Sequence, residues 1–229
     1  MFRILVLYGT SDGHTAKVAR AISARLLADG VDTDIVEAGS SDPQPADYDG
    51  IIVAASVHAG GYQRAVHRWV RSHAAELGTR PAAFVSVCLS ILSTQPKERA
   101  NAAAIPHRFF GEVGWYPGIV KIVAGALPYT KYNIFKRWIM KRIVRQAGGD
   151  TDTSRDYEYT DWNAVRSFAG EFGGLVVRPT NSPIRQGASP VNKFPRRQEN
   201  ASASGRRTMN NLGWLRSHDA HGHRAQPIK

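Results

Sequence analysis

The sequence predicts a doubly wound α/β fold, in which helices cover both faces of a parallel sheet of five strands. Through most of the 229 residues, short apolar runs alternate with helical patterns, and this alternation is typical of a parallel sheet. Runs made only of Val, Ile and Ala, such as residues 51–55, indicate strands that are buried on both faces. The predicted strands comprise residues 3–8, 33–36, 51–56, 82–88 and 119–124.

Helices are predicted from the spacing of apolar side chains. In the first helix these side chains recur at steps of three and four residues, and Gly30 is expected to end it. The last helix has Thr160 or Asp161 as its amino-terminal cap. The predicted helices comprise residues 15–28, 62–77 and 162–175.

The turn between the first strand and the first helix has the composition of an anion-binding loop. It consists of Thr10, Ser11, Asp12, Gly13, His14 and Thr15. A helix begins with partial positive charge, glycine lets the backbone approach an anion, and hydroxyls donate hydrogen bonds to it. The loop lacks the Lys of a Walker loop and the third glycine of a dinucleotide fingerprint. We therefore predict a single bound monophosphate, such as that of FMN; an ordinary turn capped by Ser and Thr is the alternative.

Two further loops are expected beside this turn. Ligands of parallel sheets bind beyond the carboxyl ends of the strands, which brings loops 9–15, 56–62 and 86–94 together. The second loop contains two glycines and Tyr62, whose ring could stack on a flat cofactor. The third begins with small and polar residues that suit backbone hydrogen bonds to the edge of a heterocycle.

Composition argues against several classes of protein. We find no signal-peptide pattern, and no apolar stretch approaches the roughly 20 residues that span a bilayer. The single cysteine, Cys88, cannot form an internal disulfide, which favours a reducing cytosol. No group of His and Cys has the spacing of a zinc site, and His218, His221 and His223 lie in a segment without structural pattern. No bound metal is therefore predicted.

The net charge of +11 is concentrated in two segments. Residues 97–145, which we interpret as a basic insertion, and residues 178–229 each contain 10 Lys and Arg against 2 Asp and Glu. Such segments are attracted to anionic lipids, nucleic acid or anionic substrates. From residue 178 onward, prolines and polar residues predict a disordered basic tail after a domain of residues 1–177. We interpret this tail as a solvated extension rather than a nucleic-acid arm.

Several segments carry a more specific resemblance. Besides the phosphate loop, they are residues 54–58 (AASVH), 82–87 (AAFVSV), 124–129 (AGALPY), 148–153 (GGDTDT) and 159–162 (YTDW). Together these segments resemble the flavodoxin-like, quinone-dependent protoporphyrinogen oxidases of bacteria. The phosphate loop alone indicates a flavodoxin, whereas the last three segments distinguish this family from other flavodoxins.

The resemblance implies an enzyme that oxidises protoporphyrinogen IX to protoporphyrin IX with non-covalently bound FMN and passes the electrons to menaquinone or ubiquinone. The implied FMN-binding residues are Thr10, Ser11, Asp12, Gly13, His14, Thr15, Ser56, Val57, His58, Ser86, Val87, Cys88, Leu89, Ser90, Gly149, Asp150 and Thr151. Asp12 departs from the usual flavodoxin pattern, and its carboxylate would repel a phosphate unless it turned outward. No catalytic acid or base is identified.

The basic segment contains a pattern of its own over residues 129–145. At about 100° per residue, most of its apolar side chains share one half of a helix and most basic ones the other, although Arg142 interrupts the apolar half. A sheet-covering helix with a solvated basic face is the alternative. Because the quinone is lipid-soluble and the substrate carries propionates, we interpret the segment as a contact for an anionic membrane or the substrate. The predicted contact residues are Tyr129, Tyr132, Lys136, Arg137, Trp138 and Lys141. The expected location is cytoplasmic, peripheral on the inner face of the cell membrane.

Other functions stay open at this point. An NAD(P)H:quinone or tetrapyrrole reductase would use the same scaffold. A flavodoxin-type electron carrier would also fit, although such carriers are usually acidic near the flavin. A nucleic-acid-binding protein would use the basic tail. A phosphoacceptor receiver is rejected, because it requires carboxylates where Tyr8 and Ser56 stand.

Overall fold

The computed structural model describes residues 1–127 and 157–178, together with the backbone of residues 226–227. Its main strands are β1 (Arg3–Gly9), β2 (Asp32–Glu37), β3 (Gly50–Ser56), β4 (Ala82–Val87) and β5 (Ile119–Val123). They form one parallel sheet in the order β2-β1-β3-β4-β5. Each predicted strand overlaps an observed one, and the predicted sheet is confirmed.

Helices pack on both faces of this sheet. They are α1 (His14–Ala28), α2 (Arg64–Ser72), α3 (Ala74–Leu77), α4 (Pro96–Val113) and α5 (Trp162–Val177). Alternate residues of β1 divide the core: Ile4 and Val6 lie in the cluster with α1 and α5, whereas Leu5 and Leu7 lie in the cluster with α2, α3 and α4. This alternation explains why the inner strands β1, β3 and β4 are apolar at nearly every position.

Two details of the ends of helices were predicted correctly. Gly30 follows α1 with a left-handed φ of 79°, which suits glycine after a helix. Of the two candidate caps of α5, Asp161 is the cap, since its carboxylate accepts a hydrogen bond from the Ala164 N–H at 2.9 Å.

The single helix predicted over residues 62–77 is wrong. The chain forms α2 and α3 instead, separated by His73, whose φ of −110° leaves helical geometry. The buried His73 ring donates from Nδ1 to the Trp69 carbonyl oxygen at 2.9 Å, which stabilises this break. Helix α4, which contains Pro106 in its interior and overlaps the basic segment 97–145, was not predicted from the sequence.

A small antiparallel sheet adjoins the carboxyl end of β5. It consists of β6 (Ala126–Leu127), β7 (Tyr157–Glu158) and β8 (Gln226–Pro227), with β7 in the middle. The predicted amphipathic helix over residues 129–145 and nearly all of the predicted tail lie outside the described residues. Within the described ranges, no helix has the length and apolar character needed to cross a membrane.

Candidate functional site

Three loops meet at one edge of the main sheet. Strands β1, β3 and β4 are parallel neighbours, so the loops that follow them leave from the same edge. Because β2 and β3 lie on opposite sides of β1, the strand order reverses here, and such a reversal is where α/β sheets bind ligands. The predicted convergence of loops 9–15, 56–62 and 86–94 is confirmed.

The first loop turns into α1 through Gly13. This residue has a φ of 89°, a left-handed conformation that glycine adopts without strain. Its N–H donates to Thr10 Oγ1 at 2.9 Å. No side chain in the described ranges caps α1, so the N–H groups of its first turn are left for an outside acceptor. A Cβ placed on Gly13 would meet no described atom within 4 Å, so the backbone is open to close approach there.

Thr15 supplies a buried hydroxyl beside this uncapped helix end. Its side chain is 0% exposed, and its Oγ1 has no hydrogen-bond partner among the residues that the structure describes. An unpaired buried hydroxyl costs about 1–3 kcal/mol, so an acceptor bound there would relieve that cost. A phosphate oxygen is such an acceptor, and the start of a helix favours its negative charge. The residues of the loop therefore fit a bound phosphate.

Gln63, which was not predicted as a site residue, joins the first loop to the second. Its side-chain amide donates to Ser11 Oγ at 3.1 Å and to Ser56 Oγ at 2.8 Å. Both serine hydroxyls keep their own hydrogen for a further acceptor. Because Gln63 directly precedes α2, its position in the sequence indicates only the start of a helix. Nothing local reveals the bridge.

A tight turn forms the tip of the second loop. His58 and Gly61 exchange two backbone hydrogen bonds, with N···O distances of 2.8 and 3.1 Å. Between them, Ala59 has a φ of 49° and Gly60 a φ of 79°. Ala59 is the single non-glycine residue with positive φ in the described part of the chain, and this conformation strains an alanine. His58, a predicted flavin contact, is exposed beside this turn.

Main-chain hydrogen bonds hold the third loop to its neighbours. The Val57 N–H donates to the Val87 oxygen, and the Cys88 N–H donates to the Val123 oxygen, both at 2.9 Å. Burial raises the pKa of the Cys88 thiol. This effect outweighs that of the hydrogen bonds from Ser90 and from the Ile91 N–H, which lower the pKa. Cys88 is therefore a buried, protonated thiol at neutral pH. Leu89 and Ser90 follow it and are progressively more exposed.

The ring of Tyr62 packs against the aromatic core. It lies edge-on to Phe84 and to Phe109, with both centroid distances 5.0 Å. Its hydroxyl donates to the buried Ser86 Oγ at 2.8 Å, and burial raises the pKa of this phenol. These contacts favour a structural role for Tyr62 over the stacking on a cofactor that the sequence suggested. Ser86, a predicted flavin contact, already accepts this hydrogen bond.

His14, the first residue of α1, is tied to the segment before α5. The Thr160 hydroxyl donates to the Ala124 oxygen at 2.7 Å, so Thr160 Oγ1 accepts the hydrogen of His14 Nε2 at 2.6 Å. The other ring nitrogen, Nδ1, lies 3.9 Å from Glu158 Oε2. Burial lowers the pKa of His14 despite the opposing charge of Glu158. The imidazole is thus neutral at pH 7, and its two ring nitrogens face Thr160 and Glu158 rather than other residues of the phosphate loop.

The described residues contain most, but not all, of the predicted site. Asp12 is half-buried in the first loop. The remaining predicted residues lie outside the described ranges: Gly149, Asp150, Thr151, Tyr129, Tyr132, Lys136, Arg137, Trp138 and Lys141. Where side chains are described, no group of three or more His, Cys, Asp or Glu is arranged to hold a metal ion.

Comparison with known proteins gives matches over most of the chain. The flavodoxin domain model matches residues 5–154. A protoporphyrinogen IX dehydrogenase (quinone) of Escherichia coli strain K12 is 32% identical over 180 residues, which are 78% of this chain and 98% of that protein. A protein of the same name from Leishmania major is 37% identical over 194 residues, 83% of this chain and 82% of its own. Among solved structures, a short-chain flavodoxin associated with a bacterial microcompartment is 16% identical with a TM-score of 0.49, and the match covers 77% of this chain and 99% of that one.

Proposed function

Because this chain belongs to the flavodoxin-domain family that includes the protoporphyrinogen IX dehydrogenases (quinone), we propose that it oxidises protoporphyrinogen IX to protoporphyrin IX and passes the electrons to a quinone. The oxidation removes six electrons, as three pairs, from the macrocycle. A bound flavin supplies the redox chemistry, since it accepts and releases electron pairs. The protein's part is to hold the flavin, orient the macrocycle and admit the quinone.

The flavin in this proposal is FMN. The observation that carries it is the buried hydroxyl of Thr15, without a partner in the described ranges, at the uncapped start of α1. The hydroxyls of Thr10 and Ser11 accept hydrogen bonds and so keep their own hydrogens for the same anion. This set of donors is suited to one monophosphate, the group that distinguishes FMN from riboflavin. The second and third loops would then contact the isoalloxazine ring.

The carboxyl-terminal part of the basic segment falls within residues 128–156, and the described residues on either side of them lie beside this site. Leu127 and Tyr157, which flank residues 128–156 in the chain, pair with each other. Thr160, close behind β7, contacts His14 of the phosphate loop. The chain on both sides of residues 128–156 is therefore tethered near the proposed flavin site, which supports a role for these residues in the reaction.

We assign the basic segment to the anionic groups that this reaction involves. Lys and Arg pair with the two propionates of the porphyrinogen, and the same charges attract an anionic bilayer that contains the quinone. A peripheral location on the cytoplasmic face of the cell membrane follows from this assignment. The proposed contact residues are Tyr129, Tyr132, Lys136, Arg137, Trp138 and Lys141.

The enzymatic test uses the full chain loaded with FMN under anaerobic conditions. Protoporphyrinogen IX and a menaquinone analogue are added, and porphyrin fluorescence is followed over time. We expect fluorescence that requires both protein and quinone. No gain over the protein-free control would reject the proposed reaction. Reduction of the flavin by NADPH alone would indicate an NAD(P)H-dependent reductase instead.

The membrane assignment is tested by sedimentation with anionic liposomes. Replacing Lys136, Arg137 and Lys141 together by Glu should abolish co-sedimentation. A matched control makes the same charge change at three exposed arginines of the described helices, Arg20, Arg68 and Arg108. If both triple variants lose binding equally, net charge rather than this segment attracts the membrane. Unchanged binding of the first variant would reject the assignment.

A further inference from the structure

A small cluster of titratable side chains adjoins the phosphate loop and includes one of its residues, His14. Glu158 of β7 is at its centre: its Oε1 accepts a hydrogen bond from Trp162 Nε1 at 2.6 Å, and its Oε2 lies 3.4 Å from Lys17 Nζ. His14 Nδ1 faces the same Oε2 at 3.9 Å. The side chains of His14 and Glu158 are only 11% and 16% exposed. The Trp162 ring also packs near the imidazole, with a centroid distance of 5.9 Å.

The hydrogen bonds fix where a proton can be added to this cluster. Thr160 already donates its hydrogen to the Ala124 oxygen, so the contact with His14 requires a hydrogen on Nε2. Nδ1 is then the unprotonated nitrogen of the neutral ring, and it faces a carboxylate. Protonation at Nδ1 breaks none of these hydrogen bonds and places positive charge beside Glu158. The ring can therefore gain a proton without leaving its position.

We propose that His14 takes up a proton from solvent at Nδ1 when the flavin phosphate binds to residues 10–15. This inference rests on the proposed binding of FMN. In the flavin-free protein the charges of Lys17 and Glu158 oppose each other around the ring, and burial keeps it neutral. A phosphate dianion held at the start of α1 adds negative charge beside its first residue, His14. That charge favours the imidazolium, and uptake of a proton offsets part of it.

The direction of the coupling follows from linkage. If phosphate favours protonated His14, then protonated His14 favours phosphate by the same factor. The more the bound phosphate favours the imidazolium of His14, the more protonation of His14 strengthens the binding of phosphate. The affinity for FMN should therefore increase as the pH falls from about 8 to about 6, the range around the ordinary pKa of histidine.

The first experiment measures the dissociation constant of FMN against pH by quenching of flavin fluorescence. Wild-type protein is compared with His14→Gln, which keeps a polar side chain but cannot gain a proton. FMN's own phosphate titration affects both proteins equally, so it cancels in the ratio of their constants. We expect the affinity of the variant, relative to that of the wild type, to fall by roughly three- to sixfold between pH 8 and pH 6. His107→Gln, at an exposed position of α4, is the matched control and should follow the wild type.

A second measurement needs only the wild-type protein. The heat of FMN binding at pH 7, measured in two buffers with different ionisation enthalpies, gives the number of protons exchanged. The FMN phosphate is mostly a dianion at this pH, since its second pKa is about 6, so a net uptake of protons is expected. Zero exchange or net release would overturn the proposal, as would parallel pH profiles for wild type and His14→Gln. If neither protein binds FMN at any pH, the proposed cofactor is wrong, which is a separate failure.

Discussion

Replacing Thr15 by valine should stabilise the flavin-free protein and weaken FMN binding. The Thr15 hydroxyl is fully buried and has no partner in the described ranges, so valine of nearly the same shape removes an unpaired polar group. We expect the free energy of unfolding to increase by about 1–2 kcal/mol. With FMN bound, the same hydroxyl would donate to a charged phosphate, and such a bond contributes about 1.5–3 kcal/mol. Its loss should weaken FMN binding by roughly 10- to 150-fold.

Two measurements on the same variants test this reasoning. Urea unfolding of flavin-free protein gives the stability, and fluorescence titration gives the dissociation constant of FMN. Thr15→Ser retains a hydroxyl and is the control, which should bind FMN far better than Thr15→Val. Opposite signs of the two effects are the specific expectation. A destabilised Thr15→Val protein would mean that the hydroxyl has a partner in the flavin-free state, and unchanged affinity would mean that the phosphate binds elsewhere.

Three further predictions concern the scaffold and the thiol. Gly50→Ala places a Cβ 2.6 Å from Val176 Cγ2 and should lower the free energy of unfolding by about 1–3 kcal/mol, whereas Gly118→Ala, with no described atom within 4 Å, should leave urea unfolding nearly unchanged. Asp161→Ala removes the cap of α5 and should cost about 1 kcal/mol in the same assay. Cys88 should react with iodoacetamide at pH 8 far more slowly in the folded protein than in urea, because burial raises its pKa. Because the folded state holds this proton more tightly, protonated Cys88 contributes to the free energy of unfolding. This contribution is fully present below the ordinary thiol pKa and is lost as the pH rises through the raised pKa of the folded protein.

The sheet could be predicted because its signal is local. Strands such as β3 are buried on both faces, so every residue from Ile51 to Ala55 is apolar and the run stands out in the sequence. The order of the loops then follows from the parallel topology. The phosphate loop is also local, since Thr10, Gly13 and Thr15 are close together in the chain. Short-range patterns of this kind do not depend on the rest of the fold.

The features that could not be predicted from the sequence are of two kinds. Some depend on contacts between residues far apart in the chain, and in others a residue occurs in a secondary structure that it normally disfavours. Helix α4 continues through Pro106, a residue that normally breaks helices and that is buried here on the same helix as Phe109 and Phe110. The contact between His14 and Thr160 joins residues 146 positions apart, and no periodic pattern encodes it. The bridge from Gln63 to Ser11 spans 52 positions for the same reason. Tertiary contacts, rather than local preference, determine these parts of the site.

The contacts of Thr160 connect the phosphate loop to the part of the chain that distinguishes this protein from a simple five-stranded sheet. Its hydroxyl bonds to Ala124 at the end of β5, its oxygen accepts from His14, and the preceding Tyr159 N–H donates to the Gly125 oxygen at 3.2 Å. The chain on both sides of residues 128–156 is thereby fixed against α1. A ligand that changes the charge at the start of α1 thus acts next to the attachment of the basic segment. In the proposed enzyme, flavin binding and presentation of that segment would share one set of hydrogen bonds.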